Sequence, residues 1–397
     1  MKMNRRSLLI GTAGIVLAGV SGAAAQDKEP LKIGIPTALT GPYSQLADEV
    51  KRVVEFAVEE ANANGGVDGR KVEVRFLDTE AKPELARQQG EKLALDGFNI
   101  LTGTIASGEA LAIGPMLARW NALFVATVPK ANAITGGQCQ ARMFRVNRLD
   151  ASDAAAIGPW LKTRKETKWA IVAAGIAWGH DSGASFKKAA DSNGKTIASE
   201  NYPAFGSNDY AATIQKVIDS GAEGMWVALA GRDAMTFAKQ AKQFGLFDKV
   251  VTGGTSFTTD GTVSVLGDTV KGVHTIINYS STLDTPDKRK FVADWGKVYP
   301  GDAATNFQGE TYIGMQVIFE AVKKAGSVKP NDVAEALAGG TFDTILGSQT
   351  MRKEDHQLVG PNFFGEVAEA DGVLRPVISM TIPADVATPP PDGSCKL

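Results

Sequence analysis

The sequence predicts an α/β protein of two doubly wound lobes joined by three crossovers around a hinge. Three observations predict it. Short apolar runs alternate with helical stretches from residue 31 to residue 126, the order of parallel strands linked by helices. The same order restarts at residue 152, with no repeat of the sequence itself. After residue 280 helices follow one another with little strand between, so the chain is expected to return to the first lobe before revisiting the second.

Leu31 to Ile35 reads as a strand ending at Pro36. Val50, Val53, Val54, Ala57, Val58 and Ala61 share one helical face, and Asn64-Gly65-Gly66 stops that helix. Val72 to Leu77 alternates as a strand, and Pro83 opens a helix running to Asp96. Ile100-Leu101 reads as strand, Glu109 to Trp120 as helix and Leu123 to Ala126 as strand. In the second unit helices are expected over Ser152 to Thr163, Asp181 to Asn193, Tyr210 to Ser220 and Asp233 to Phe244. Gly194 and Gly245 stop two of them. Strands are expected between them at Ala170 to Ala174, Thr196 to Tyr202 and Met225 to Leu229, then at Val250-Val251 and Val273 to Ile277. The late helices are Pro286 to Val298, Tyr312 to Lys324 and Asn331 to Leu337. Residues 363–382 read as two antiparallel strands turning at Asp371-Gly372. The tail Pro389-Pro390-Pro391-Asp392-Gly393 reads as extended and loosely held.

Composition narrows the function. The chain has 397 residues, with 42 Lys+Arg against 44 Asp+Glu. That balance gives nucleic-acid binding no electrostatic basis. Three His and two Cys cannot build a conventional zinc site, so no metal or cofactor is expected. Residues 1–25 read as an export signal: Lys2, Arg5 and Arg6, then an apolar stretch from Ser7 to Val20, then Ala23-Ala24-Ala25 for cleavage. Arg5-Arg6 before Ser7-Leu8-Leu9 fits the twin-arginine route as well as ordinary signal charge. Cleavage takes the formal charge from −2 to −5. In an oxidising compartment Cys139 and Cys395 are expected to form one disulfide.

Enzyme signatures are missing. The sequence holds no G-x-S-x-G elbow, no phosphate-binding G-x-x-x-x-G-K-[ST] loop and no H-E-x-x-H, and no G-x-G-x-x-G follows the first strand. His180, His274 and His356 lack obvious partners in sequence. Two lobes without a catalytic motif point to binding, in the cleft where the strands' C-terminal ends face each other.

Several segments then carry a resemblance over residues 31–385. Leu39-Thr40-Gly41-Pro42-Tyr43 is similar to a first ligand loop, and Asn62 to Arg70 to an N-x-x-G-G-x-x-G-x turn. Asp78 ends the second strand with an acid, and Gly103 to Gly108 matches a third-strand loop. Ala177-Trp178-Gly179 and Phe205 to Tyr210 resemble later motifs. Together they resemble the periplasmic solute-binding proteins of ABC transporters, of the leucine/isoleucine/valine- and amide-binding type. Met351-Arg352, Asp355-His356-Gln357 and the terminal Cys395-Lys396-Leu397 look like the subgroup that includes aromatic-acid binders, where the same cysteine pairing is suspected.

The resemblance implies two Rossmann-like lobes of the type I periplasmic binding protein fold. The N-terminal lobe would take 26–148 plus 279–352, the C-terminal lobe 149–278 plus 353–385, and residues 386–397 an extended tail. It implies a periplasmic monomer that does no chemistry. This protein would close on a small organic solute by hinge motion and deliver it to permease subunits in the inner membrane, or alternatively signal its presence to a receptor. The implied ligand set is Tyr43, Ala106, Ser107, Gly108, Val128, Lys130, Trp178, Arg232, Thr255, Phe257 and Glu310. Amino-acid binders place an acid near Thr255 for the α-ammonium, and Gly253-Gly254-Thr255-Ser256-Phe257 offers none; Glu310 from the late helices, or another acid, would have to substitute. The ligand expected is a carboxylate or amide with an apolar or aromatic body, or else a branched-chain amino acid.

Overall fold

The computed structural model describes residues 28–283, 285–370, 372–391 and 393–397. The expected export signal and cleavage site lie outside the described residues, as do Asp371 of the hairpin turn and Asp392 of the tail.

The first lobe runs β1 (Leu31–Thr37), α1 (Ser44–Ala63), β2 (Val72–Asp78), α2 (Pro83–Leu95), β3 (Ile100–Thr102), α3 (Ser107–Ile113), β4 (Leu123–Ala126) and β5 (Met143–Arg145). Its five strands are all parallel, in the order β2-β1-β3-β4-β5. Pro36 does not end β1; it pairs with Leu77. The helix expected to reach Trp120 stops at Ile113, because Gly114-Pro115-Met116 tightens into a 3-10 turn.

The second lobe runs α4 (Asp150–Thr163), β6 (Lys168–Ala173), α5 (Ala177–Ser192), β7 (Thr196–Asn201), α6 (Ala211–Asp219), β8 (Gly224–Ala228), α7 (Gly231–Gln243), β9 (Val251–Gly254), α8 (Asp260–Leu266) and β10 (His274–Ile277). Helix α8 was not expected; Thr259 caps it by accepting from the Thr262 N–H at 3.3 Å. β6 and β8 bury every residue but Lys168, the pattern of strands covered on both faces. Trp226 stacks on Phe186 with ring centroids 5.0 Å apart, and Trp160 meets Trp169 edge-on.

The chain then supplies α9 (Pro286–Val298), α10 (Asn306–Ala325), α11 (Pro330–Leu337) and a small antiparallel sheet of β11 (Thr341–Thr344), β12 (Gly347–Met351) and β13 (Leu358–Val359). Helix α10 packs along α1, so this block covers the first lobe. Gln357 bridges Arg145 of β5, so the chain stays with the first lobe that far. It crosses back to form β14 (Asn362–Ala370), β15 (Val373–Ile382) and α12 (Ala384–Ala387). The second sheet is therefore seven-stranded, ordered β15-β14-β10-β9-β8-β6-β7, with β14 and β15 antiparallel. Three passages between lobes result.

The tail is more firmly held than expected. Thr388 bonds both N–H and C=O of Gly360, and Pro389 accepts from Arg352 Nη1 at 2.6 Å. Cys395 is disulfide-bonded to Cys139, with Cα atoms 5.5 Å apart.

Candidate binding site

The C-terminal ends of β3 and β4 face those of β6, β8 and β9 across the cleft, and the lobes touch there. The Arg232 N–H donates to the Pro42 carbonyl at 3.1 Å, the rings of Tyr43 and Phe205 lie 4.8 Å apart, and the Asn132 N–H donates to Asp181 at 2.8 Å. Beneath these contacts is a narrow cavity of ≈ 20 Å³, room for little more than a water molecule with the lobes as they stand. Tyr43, Leu46, Ile105, Ala106, Ser107, Val128, Lys130, Trp178, Ala230, Ser256 and Phe307 line it. A second, equally narrow space of ≈ 10 Å³ adjoins it, sharing Lys130 and Ser256 and including Thr255, Asp260, Asn278 and Tyr279. Ser256 has φ 56°, the left-handed region that a non-glycine residue seldom adopts.

The walls are largely apolar and aromatic. Trp178 enters from the first turn of α5, and its Nε1–H has no protein partner. The turn that brings it in depends on Gly179, where any Cβ would overlap the Ala174 carbonyl oxygen. Tyr43 is buried, and burial next to Asp233 and Glu109 pushes its phenol well above the usual range.

Polar groups converge at one end. Ser107 Oγ accepts the N–H groups of Lys130 and Ala131, each at 3.1 Å. The carbonyls of the same two residues accept from Arg145 Nη1 at 3.1 and 2.6 Å. The loop carrying Lys130 is thus clamped from both sides of its backbone, and the Ser107 hydroxyl proton remains available to donate. Arg145 is fully buried, which lowers its guanidinium to about 10. The Ile105 and Ala106 N–H groups are taken by Glu109 Oε2 at 3.1 and 2.7 Å, so they are not open to a ligand.

Lys130 Nζ reaches across the cleft to Asp153 Oδ2 at 2.6 Å. Thr255 Oγ1 donates to the same oxygen at 2.7 Å, and Asn362 Nδ2 to the other at 3.3 Å. All four residues are buried. The expectation that no acid stands near Thr255 is therefore corrected: Asp153 of α4 does, and Lys130 already occupies it.

Tyr43, Ala106, Ser107, Val128, Lys130, Trp178 and Thr255 come together at these spaces. Four expected residues do not line either one. Gly108 packs toward Pro83, and Phe257 is fully buried against Phe237. Arg232 lies exposed, bonded to the Gly206 carbonyl. Glu310 is buried behind Lys130, where its Oε1 accepts from Asn278 and Asn306 at 2.6 Å each. Burial pushes the Glu310 carboxyl up to about 7, against the nearby Lys130 charge and those two hydrogen bonds.

Sequence reasoning missed Asp153, Arg145 and Phe307. Asp150 and Asp153 stand in the first turn of α4, where acids are ordinary, and no local signal pairs Asp153 with a lysine 23 positions earlier. The histidines have packing roles: His180 stacks on Tyr202, His274 on Phe364 and His356 on Phe144. No cluster suited to a metal ion occurs among the described residues.

The family described as "Periplasmic binding protein" matches residues 30–372. A Leu/Ile/Val-binding protein homolog of Brucella melitensis is 25% identical, over 88% of this chain and 95% of its own length. A solute-binding protein of an ABC transporter from Rhodopseudomonas palustris BisB5, solved with 3,4-dihydroxybenzoic acid, superposes with TM-score 0.82 at 22% identity, covering 90% of this chain and 98% of that one. An amino-acid ABC transporter substrate-binding protein from Pseudomonas fluorescens Pf-5 gives TM-score 0.81 at 21% identity, covering 94% and 100%.

Proposed function

Because the chain belongs to the periplasmic binding protein family, we propose that it is the extracytoplasmic solute-binding component of an ABC importer. It is exported, acts as a monomer and binds one small organic solute between its lobes. Hinge closure about the three passages then presents the loaded form to membrane permease subunits. The lobes divide near residues 148 and 278, as the sequence reading has them, and near 360 rather than 352, since Gln357 still pairs with Arg145 and β13 with β12.

The preferred ligand is a small carboxylate on an apolar or aromatic body. One observation carries this reading: a cleft cavity walled by Tyr43, Trp178 and Phe307 whose polar end offers the Ser107 hydroxyl and the Lys130 ammonium. Rings on the walls suit a flat apolar body. A hydroxyl donor and a cation suit a carboxylate. The R. palustris protein holding 3,4-dihydroxybenzoic acid supports the same choice.

Thermal unfolding of the mature protein against benzoate, 4-hydroxybenzoate, aliphatic carboxylates, aliphatic amides and aliphatic amino acids tests it. A ligand at 100-fold its dissociation constant adds ~2.7 kcal/mol and raises the midpoint. A shift with the aromatic carboxylates supports the reading. Shifts only with amino acids refute the ligand class, and no shift with any member refutes the proposal for this solute panel.

A further inference from the structure

Asp153 is the buried carboxylate next to the polar end of the cleft, screened from both spaces by Lys130 and Thr255, which line them. It stands across the cleft from Ser107, bonded to Thr255, the residue beside which the amino-acid binders were expected to carry their acid. In this chain that carboxylate is not vacant. The Lys130 ammonium sits 2.6 Å from Asp153 Oδ2 and 3.3 Å from Thr255 Oγ1. The arrangement is rigid at its root, because Ser107 holds the Lys130 N–H and Arg145 holds its carbonyl. It is dry at its tip, with the side chains of Lys130 and Asp153 exposed by only 5% and 3%.

We propose that Lys130 is a built-in substitute for a ligand ammonium and sets the specificity of the cleft, admitting carboxylates and excluding their α-amino counterparts. The inference rests on the solute-binding reading above and narrows its ligand class. An amino acid entering the cavity would bring a second cation to one carboxylate. Either its ammonium stays unpaired, or Lys130 is displaced and left buried without a partner. Both carry the large cost of an uncompensated buried charge. Glu310, the other buried acid near Lys130, is a weaker partner for a displaced ammonium: its Oε1 is engaged by Asn278 and Asn306, its Oε2 is buried without a partner, burial holds its carboxyl up at about 7, and it lines neither space. A ligand without the ammonium leaves the Lys130–Asp153 pair intact and adds its own carboxylate to the Ser107 hydroxyl and the far side of the same cation.

The test uses matched pairs that differ only in the α-ammonium: 3-phenylpropanoate with phenylalanine, and 4-methylpentanoate with leucine. Affinities are measured by calorimetry on the mature protein and on Lys130→Met, which keeps the stem and removes the charge. The wild type is expected to favour the carboxylate of a pair by roughly 10²-fold or more, the scale of breaking a buried ion pair. In Lys130→Met the ratio is expected to move toward the amino acid by a similar factor, because Asp153 then lacks a cation. Asp153→Asn is the second variant. It frees Lys130 for the carboxylate that both members of a pair carry, and is expected to leave the ratio at least as far toward the member without the ammonium. Equal or tighter binding of phenylalanine or leucine by the wild type overturns the inference. An unchanged ratio in Lys130→Met also overturns it, while carboxylate binding by the wild type keeps the solute-binding reading standing. If Lys130→Met does not fold, a ratio that moves toward the amino acid in Asp153→Asn overturns it. If the wild type binds neither member of a pair, the ligand class and the inference fail together.

Discussion

The Cys139–Cys395 disulfide gives the prediction with the clearest magnitude. Cys139 follows β4 of the first lobe, and Cys395 ends a tail that leaves β15 and α12 of the second. The bond closes a loop with sequence separation 256. Chain-entropy arithmetic for a loop of that size gives about 5.5 kcal/mol of stabilisation through the unfolded state, and native disulfide deletions generally cost ~2–5 kcal/mol. An unfolding entropy of ~2.1 cal/mol/K per residue over some 370 residues converts this to a fall of about 3–6 °C. Calorimetry on the mature protein with and without reductant, and on the Cys139→Ser/Cys395→Ser double variant, checks it. Reduced wild type and double variant are expected to melt together, below the oxidised protein. A melting point that does not move would refute the reasoning, because the tail would then be held wholly by the contacts of Thr388 and Pro389.

Two further perturbations follow from the site. Gly179→Ala forces a Cβ into the Ala174 backbone, so α5 must shift; a loss of ~1–3 kcal/mol in denaturant unfolding and weaker ligand binding through Trp178 are expected. The Glu310 carboxyl, at about 7 when folded against an ordinary 4.5, binds its proton more tightly in the native state. Its contribution to stability is fully present below about 4.5 and is lost as the pH rises through about 7, a loss on the order of 3 kcal/mol. Glu310→Gln should therefore gain on the wild type between pH 5 and pH 8 in urea unfolding, and parallel pH profiles for the two proteins would contradict the assignment.

The framework of the fold was legible because its strands are apolar and its helices amphipathic. The runs Leu31 to Ile35, Ala170 to Ala174 and Met225 to Leu229 are apolar enough to be read alone, and Gly194 and Gly245 mark helix ends that the structure keeps within two residues. The small sheet was not legible. Thr341–Thr344 and Gly347–Met351 alternate buried and exposed residues, but Thr344 and Gln349 are polar residues on the buried face. Strand β5 was hidden in the same way by Arg145, whose charge reads as surface and whose donors are instead spent on the Lys130 loop, Thr135 and Gln357.

The site divides along the same line. Ser107, Val128 and Trp178 lie directly after strands, where the alternation itself locates the cleft. Asp153 lies on α4, the helix that opens the second lobe, and its role depends on a lysine from the other side of the cleft. Local pattern carries no information about such a pair. Phe307 was equally invisible, because the predicted helix began at Tyr312 whereas α10 begins at Asn306, capped by Thr305 and Gln308.

The central claim is that a small carboxylate binds in the cleft against Trp178. It is tested most directly by titrating 4-hydroxybenzoate into the mature wild type and into Trp178→Ala, with heat of binding as the readout. The account predicts one site per chain in the wild type and an affinity at least roughly tenfold weaker in the variant, the scale of a lost aromatic contact with its buried area. Equal binding by the two proteins would place the ligand elsewhere and contradict the claim.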